Sequence, residues 1–390
     1  MELVEVRTPQ DEKDFIEINV LVNRNNPAYI RPLNKEIIAT FQPTQNKHLK
    51  NGKVNRWILK KEGNVIGRIA AFIDPIYKNF GTDFPTGGCG YFDCIDDQLA
   101  ANQLFDTAKK WLQSNGMDAM DGPINIGDRD KNWGLLVEGF ETEPYYGMSY
   151  NPPYYQRLFE NYGFQNYYNQ YYFYLSVSHQ LPEKIKLRHD RLAAKPEYSA
   201  QHLTLDKLDK FAQDFTAIYN VAWAQHKENK SITKEQVLHL FKEMKAIIDP
   251  KLVWFAYYNE QPIAMWINIP DVNQYFKKLN GKFGLWQKLK VLYLKKTKQC
   301  KRFTGIVFGV IPKFQILGVD AFLIYEGAKV IQQDSQYEDY EMGWTSEWNP
   351  RMLNLYQHLG SKRSRHMITY RYIFDQKYPF ESHPEITYKK

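Results

Sequence analysis

The period of the apolar positions changes repeatedly along the chain, and each change marks an element. Residues 2–7 alternate like a short strand, and 11–22 carry apolar side chains at helical spacing. Residues 56–59 and 65–73 read as two strands about the turn 61–64, where Glu62-Gly63-Asn64 is hairpin chemistry. Another strand over 90–95 passes through Asp96-Asp97 into a helix over 97–114, which should stop at Asn115-Gly116. The second half keeps a similar order. Helices are predicted over 205–225 and 233–247, with Ser231 and Thr233 as available caps and Glu235 and Gln236 just inside. A hairpin follows, 252–258 and 262–269 across Asn259-Glu260-Gln261, then a strand over 306–310, a turn over 315–320, a helix from 321 to 330 and a strand over 340–344. The class expected is α/β, with an α+β mixed sheet.

Composition adds boundaries. At 390 residues the chain has room for two ordinary domains, each with its own core. Residues 178–199 hold prolines and alternating charges without a sustained apolar period. The expected organisation is a domain over 1–180, a connection over 181–198, a second domain over 199–378 and a tail over 379–390. A hydrophobic fraction of 43%, a charged fraction of 24% and an aromatic fraction of 15%, with 28 Tyr, exclude wholesale disorder. The first residues lack a basic segment followed by an apolar one, and no apolar run approaches the length of a membrane span. A cytoplasmic protein is expected. Cys89, Cys94 and Cys300 are too few and too irregularly placed for a disulfide framework or a four-ligand zinc site, so no metal is expected. The net charge of +7 favours anionic partners without choosing among them.

The stretch 306–330 carries the most specific chemistry. Its strand ends before Pro312, and residues 315–320 open a helix, whose first backbone N–H groups suit a pyrophosphate. Gly318 alone serves equally well as a positive-φ position or a point of close packing. Downstream, Tyr356 stands seven residues after Asn349 and four before Gly360. A strand, a Q-x-x-G-x-[G/A] loop, a helix, a strand and N-x6-Y-x3-G resemble the GNAT superfamily of acyl-CoA-dependent N-acyltransferases. The resemblance implies two tandem GNAT-like units, the second binding acyl-CoA or acetyl-CoA without a metal. It implies that Phe308, Gly309 and Val310 bind the pantetheine arm and polarise the thioester. Gln315, Ile316, Leu317, Gly318, Val319 and Asp320 would cradle the pyrophosphate, Asn349 would hold the arm, and Tyr356 would protonate the leaving sulfur. Asp320 departs from the pattern, since a carboxylate replaces the small residue. The first half looks degenerate: Asp96-Asp97 stands where a phosphate loop would be, and Phe159 takes the place of the acid in the repeat 151–164.

The remaining assignments are looser. Glu341 is the first choice of base, Glu347 the second and Glu338 the third, against the reading of ordinary surface carboxylates or a water chain. Residues 122–150 are either a surface loop or a lid whose Trp133, Tyr145, Tyr146 and Tyr150 wall an acceptor channel. Trp223 and His226 read as core and solvent residues. Residues 276–302 form a basic amphipathic insertion suited to an anionic membrane surface or to packing on its own domain. No nucleic-acid module and no obligate protein partner are evident. The whole pattern also resembles bacterial tandem acyltransferase proteins, some of whose relatives are linked to N-acylation of long-chain lipid amines. The function implied is acyl transfer from acyl-CoA to a primary amine, with a lipid amine at the membrane surface preferred. Acylation of a small soluble amine, amino acid or peptide, and a non-catalytic scaffold, are the alternatives.

Overall fold

Both predicted hairpins close on two-residue turns with left-handed backbone, Glu62-Gly63 at φ 51° and 78° and Asn259-Glu260 at 45° and 61°. That geometry matches the twist of the strands it joins. The computed structural model describes residues 1–75, 77, 84–129, 131–222, 231–333, 336–375 and 377–384. Trp223 and His226 lie outside the described residues.

The strands are β1 (Glu2–Glu5), β2 (Lys53–Lys61), β3 (Asn64–Ile73), β4 (Thr86–Cys94), β5 (Ala119–Gly122), β6 (Leu135–Glu138), β7 (Gln165–Ser176), β8 (Tyr198–His202), β9 (Val253–Tyr258), β10 (Gln261–Pro270), β11 (Arg302–Val310), β12 (Asp339–Ser346) and β13 (Lys362–Ile373). They form one mixed sheet in the order β1-β2-β3-β4-β5-β13-β7-β12-β11-β10-β9-β8, with β6 beside β13. The halves exchange their last strands. β7 leaves the first half to pair with β12, and β13 returns from the second half to pair with β5. The two exchanged strands pair with each other at the centre, from Lys362 against Tyr174 to Arg371 against Gln165.

Each half buries both faces of its sheet. In the first, helices Gln98–Ser114 and Tyr155–Tyr162 cover one face, while Pro9–Asn23 and Asn34–Thr40 cover the other. In the second, Val319–Gln333 and Pro350–His358 cover one face and Leu208–Ala222 with Lys234–Met244 the other. Local signals set these helices. Asp97 caps the first through the Leu99 and Ala100 N–H groups, and Thr233 with Gln236 makes a capping box.

Three differences from the sequence reading matter for function. The stretch 181–198 is not irregular: it holds helix Glu183–Ala193, which packs on Val319–Gln333 through Ile185, His189 and Leu192. Its charges are the solvent face of that helix. Val319 and Asp320 already belong to the helix, so the turn before it is shorter than 315–320. β11 starts at Arg302, inside the stretch read as an insertion, because Arg302 is held at a buried ion pair with Asp271 (2.6 Å) that keeps a charged residue in a strand.

Candidate active site

β11 and β12 run parallel but pair only from Arg302–Asp339 to Thr304–Glu341. The last close approach is between Gly305 and Gly343, where φ is +72° and a Cβ would lie 2.7 Å from the Gly305 carbonyl oxygen. Beyond it the strands diverge around a cavity of about 1060 Å³ that reaches both faces of the sheet. That is at the upper end of the range for small-molecule sites. On one face the walls include Phe308, Ile324, Asn349, Met352 and Tyr356; on the other they include Arg129, Tyr145, Tyr146, Leu240, Met244 and Ile247.

The corresponding gap in the first half is filled by its own chain. β4 and β5 pair from Thr86–Ala119 to Gly88–Asp121, and then Ile124, fully buried, donates its N–H to the Cys89 carbonyl at 2.9 Å. Gly90 has no Cβ because Ile124 O occupies that space. The edge of β4 is used up as well: Tyr91 N–H bonds Asn125 Oδ1 (2.9 Å), Cys94 N–H bonds Tyr155 Oη (2.9 Å), and Tyr154 O–H bonds the Cys94 carbonyl (2.7 Å). Asn151, the counterpart of Asn349, is spent on both backbone groups of Leu136.

In the second half, Tyr356 lines the cavity and donates its O–H to the Met342 carbonyl at 2.6 Å. Burial pushes its hydroxyl far above the usual phenol range, so it keeps its proton at any working pH. Asn349 caps helix Pro350–His358, accepting from Met352 N–H at 3.3 Å, and also lines the cavity. Phe308 lines it too; Gly309 and Val310 follow on the same strand. Gln315 is fixed between the Val310 carbonyl (3.0 Å) and Arg351 (2.6 Å). Ile316 and Leu317 are exposed, Gly318 sits at φ +88°, and Val319 is buried. Asp320 falls in the first helical turn, where a carboxylate favours the helix dipole. None of residues 315–320 lines the cavity itself.

None of the three carboxylates considered as bases lines the cavity either. Glu341 is buried behind its wall, 3.0 Å from Arg365 and 3.1 Å from the Ser364 hydroxyl. Glu347 holds the backbone N–H and side chain of Asn169 (3.1 and 2.8 Å), and Glu338 is exposed beside Lys301 (3.2 Å). Of the aromatic residues of 122–150, Tyr145 and Tyr146 line the cavity. Trp133 instead donates to Tyr168 Oη at 2.6 Å within a separate core, and Tyr150 donates to the Phe140 carbonyl.

Several cavity and rim residues gave no sequence signal. Arg188 and Arg191 of helix Glu183–Ala193 lie against Gly318, with Arg191 reaching the Leu317 carbonyl at 3.4 Å. The hydroxyls of Thr304 and Thr345 are buried in the cavity wall without a partner among the described residues, a costly state that a bound polar group relieves. The tail contributes as well: His383 stacks on Trp348 with centroids 3.8 Å apart, and both line the cavity. Burial, reinforced by Arg129 and Arg371, pushes the His383 imidazole down to about 4. A depressed imidazole contributes stability that is complete above its unfolded value of about 6.5 and is lost as the pH falls toward 4. Acidification through that window should release the stacked ring, read as a change in Trp348 fluorescence that a His383→Phe variant does not show.

No protein-family model matches the chain. Over 379 residues, 95% of the chain and 96% of the relative, it is 28% identical to the bacterial ceramide synthase of Caulobacter vibrioides. Over 364 residues, 90% of each, it is 25% identical to protein YghO of Escherichia coli. Among solved structures, a tandem GNAT protein from the clavulanic acid biosynthesis pathway superposes with a TM-score of 0.53 at 11% identity, covering 97% of this chain and 99% of that one. A GCN5-related glucosamine N-acetyltransferase region of a fungal multi-domain GH3 β-N-acetylglucosaminidase gives a TM-score of 0.55 at 11% identity, over 95% of this chain and 38% of that one. With the repeated element order, the open gap of the second half and the filled gap of the first, the chain has the tandem GNAT fold.

Proposed function

We propose that the chain is an N-acyltransferase that moves an acyl group from acyl-CoA to a primary amine, and that the amine belongs to a long-chain lipid at a membrane surface. The observation that carries this reading is the open gap beside β11, with Tyr356 in its wall and lining residues from the helices on both faces of the sheet. Donor and acceptor can enter from opposite faces and meet between the strands. The similarity to a ceramide synthase over nearly the whole chain supports a lipid amine as acceptor, because a ceramide is an N-acylated long-chain amino alcohol.

In this reading the β11 edge over Phe308, Gly309 and Val310 meets the donor, and the N–H groups of Phe308 and Val310, which face away from β10, polarise the thioester carbonyl. The loop 315–320 faces the phosphates, and Arg188, Arg191 and Arg351 offset the charge of Asp320. Asn349 orders the pantetheine arm. The amine attacks the carbonyl, the C–N bond forms, the C–S bond breaks, and Tyr356 gives its proton to the departing sulfur. The proton of the amine passes through water in the cavity and restores the Tyr356 hydroxyl, since no carboxylate among the described residues lines the cavity. Incubating the chain with palmitoyl-CoA and a long-chain 2-amino alcohol tests the reading; amide and free CoA in equal amounts are expected, and hydrolysis alone would remove it.

The membrane assignment rests on helix Leu285–Lys296. Leu285, Trp286, Leu289, Leu292 and Tyr293 are 71, 78, 49, 60 and 65% exposed, while Leu294 alone is buried. Lys288, Lys290, Lys295 and Lys296 stand among them. Not every lysine of the surrounding insertion is free for lipid, since Lys277 pairs with Glu143 and Lys301 with Glu338. The helix adjoins the acceptor mouth, with Lys295 Nζ on the Ala246 carbonyl next to Ile247. An exposed apolar stripe among lysines suits an anionic interface. Reversing Lys288 and Lys290 to Glu should weaken binding to phosphatidylglycerol vesicles by at least about tenfold, since each lysine contributes about 1 kcal/mol. Unchanged co-sedimentation would take this helix out of the account.

A further inference from the structure

The rim around the donor end of the cavity has a composition that phosphate binding does not require. Helix Glu183–Ala193 buries Ile185, His189 and Leu192 and turns Lys184, Leu187, Arg188 and Arg191 outward at positions i, i+3, i+4 and i+7. Leu187 is 62% exposed. Arg188 Cβ and an Arg191 guanidinium nitrogen come within 3.6 Å of the space a Gly318 Cβ would take, so this face continues into the loop. There Ile316 is 91% exposed, Leu317 38%, and Lys313 is exposed beside them. The acidic neighbours are three: Glu183 is exposed in the first turn of the helix, Asp190 is held by Lys186 and His189, and Asp320 sits in the first turn behind the loop, against Lys184, Arg188, Arg191 and Lys313. Cations alone suit the phosphates of any donor. Three exposed aliphatic side chains interleaved with them suit a protein surface that is acidic and partly apolar.

We infer that this rim docks an acidic acyl carrier protein, which delivers its acyl thioester on a phosphopantetheine arm through the donor mouth. The inference rests on the acyltransferase reading above and names a macromolecular donor for the same site. A carrier's arm brings one phosphodiester where CoA brings a pyrophosphate and a further phosphate, so it places less negative charge near Asp320. The chemistry balances as before. The amine nitrogen bonds the acyl carbon, the carbon–sulfur bond breaks, and the amine's proton is balanced by the one that leaves the carrier with a free thiol. The rim is distinct from the membrane-facing helix. The two lie beyond opposite ends of the nine-residue β11, which spans about 26 Å.

The test compares palmitoyl carrier protein with palmitoyl-CoA as donors to the full chain, at low and high salt. The carrier should give at least a tenfold higher kcat/KM, and the advantage should shrink with salt. Leu187→Asp and Lys184→Glu lie outside the catalytic machinery. Each should lower the carrier-supported kcat/KM about tenfold and leave CoA-supported turnover within twofold, which also reports that the variants fold. Equal effects on both donors, or none on either, would overturn the docking proposal. So would variants that lose vesicle binding or self-association while carrier-supported transfer persists, because the rim would then belong to lipid or to a second copy. Transfer from CoA but not from the carrier defeats the docking proposal alone; transfer from neither defeats the acyltransferase reading with it.

Discussion

Replacing Tyr356 with Phe is expected to lower kcat about 10²-fold while leaving the KM for the acyl donor nearly unchanged, the signature of losing a positioned acid rather than a binding contact. The ring can stay where it is, because Phe173 packs on it at 5.0 Å between centroids and Leu359 closes the same core. The hydroxyl is what changes. It is the one group on helix Pro350–His358 that combines a lining position, a dissociable proton and a hydrogen bond to the Met342 carbonyl, one residue from the close approach at Gly343. Losing that bond should itself cost about 1 kcal/mol of stability, too little to explain a 10²-fold fall in turnover. The first half carries the comparison within the same chain. Phe159 stands at the equivalent place, fully buried, in a half whose gap is filled. Unchanged turnover in Tyr356→Phe would remove the tyrosine from the mechanism.

The second large effect concerns Glu341, and it is an effect on folding. Glu341 and Arg365 are 3% and 1% exposed and 3.0 Å apart, on β12 and β13, the two second-half strands that flank β7. Arg365 also donates to the Glu143 carbonyl at 2.8 Å, which ties the segment before Tyr145 and Tyr146 to the same pair. Glu341→Gln leaves a buried guanidinium without its counter-charge, and the expected loss is about 3–5 kcal/mol. The midpoint of urea denaturation reads it. Replacing both partners with Met should restore most of the loss, since a buried pair exchanged for apolar side chains is often neutral. If Glu341→Gln keeps its midpoint but loses turnover together with the acid limb of its pH profile, Glu341 is the base and the water route is wrong.

The element order was legible because each element carries a local cause. The hairpins announced themselves through Glu62-Gly63 and Asn259-Glu260, the helices through Asp97 and Thr233, and the phosphate-sized loop through Gly318. The strand exchange was not legible. β7 and β13 are both twelve-residue, Tyr-containing strands, and nothing local tells which half each will join. The choice is made by partners far away in sequence, such as Arg371 against Asp121 at 2.6 Å. Burial was misread where the sequence is polar: Trp133 belongs to a separate core, and the charged stretch before 198 is a packed helix. The site was half legible. Spacing singled out Asn349 and Tyr356 as candidates, and the fold places both in the lining of one cavity with Phe308. Spacing could not find Arg188, Arg191, Thr304 or His383, which reach the cavity or its rim only through tertiary packing. Nor could it separate Glu341, whose strand alternation points it to the buried pair, from a carboxylate facing the substrate.

The asymmetry between the halves is the centre of this account, and it makes a stoichiometric statement. One gap is open beside β11, and its counterpart beside β4 is occupied by Ile124. Titration calorimetry of the full chain with CoA and with acyl-CoAs of increasing length is the most direct measurement. One donor per chain is expected, tightening as the acyl chain lengthens. Two equivalent sites, or none for any acyl-CoA, would contradict the account.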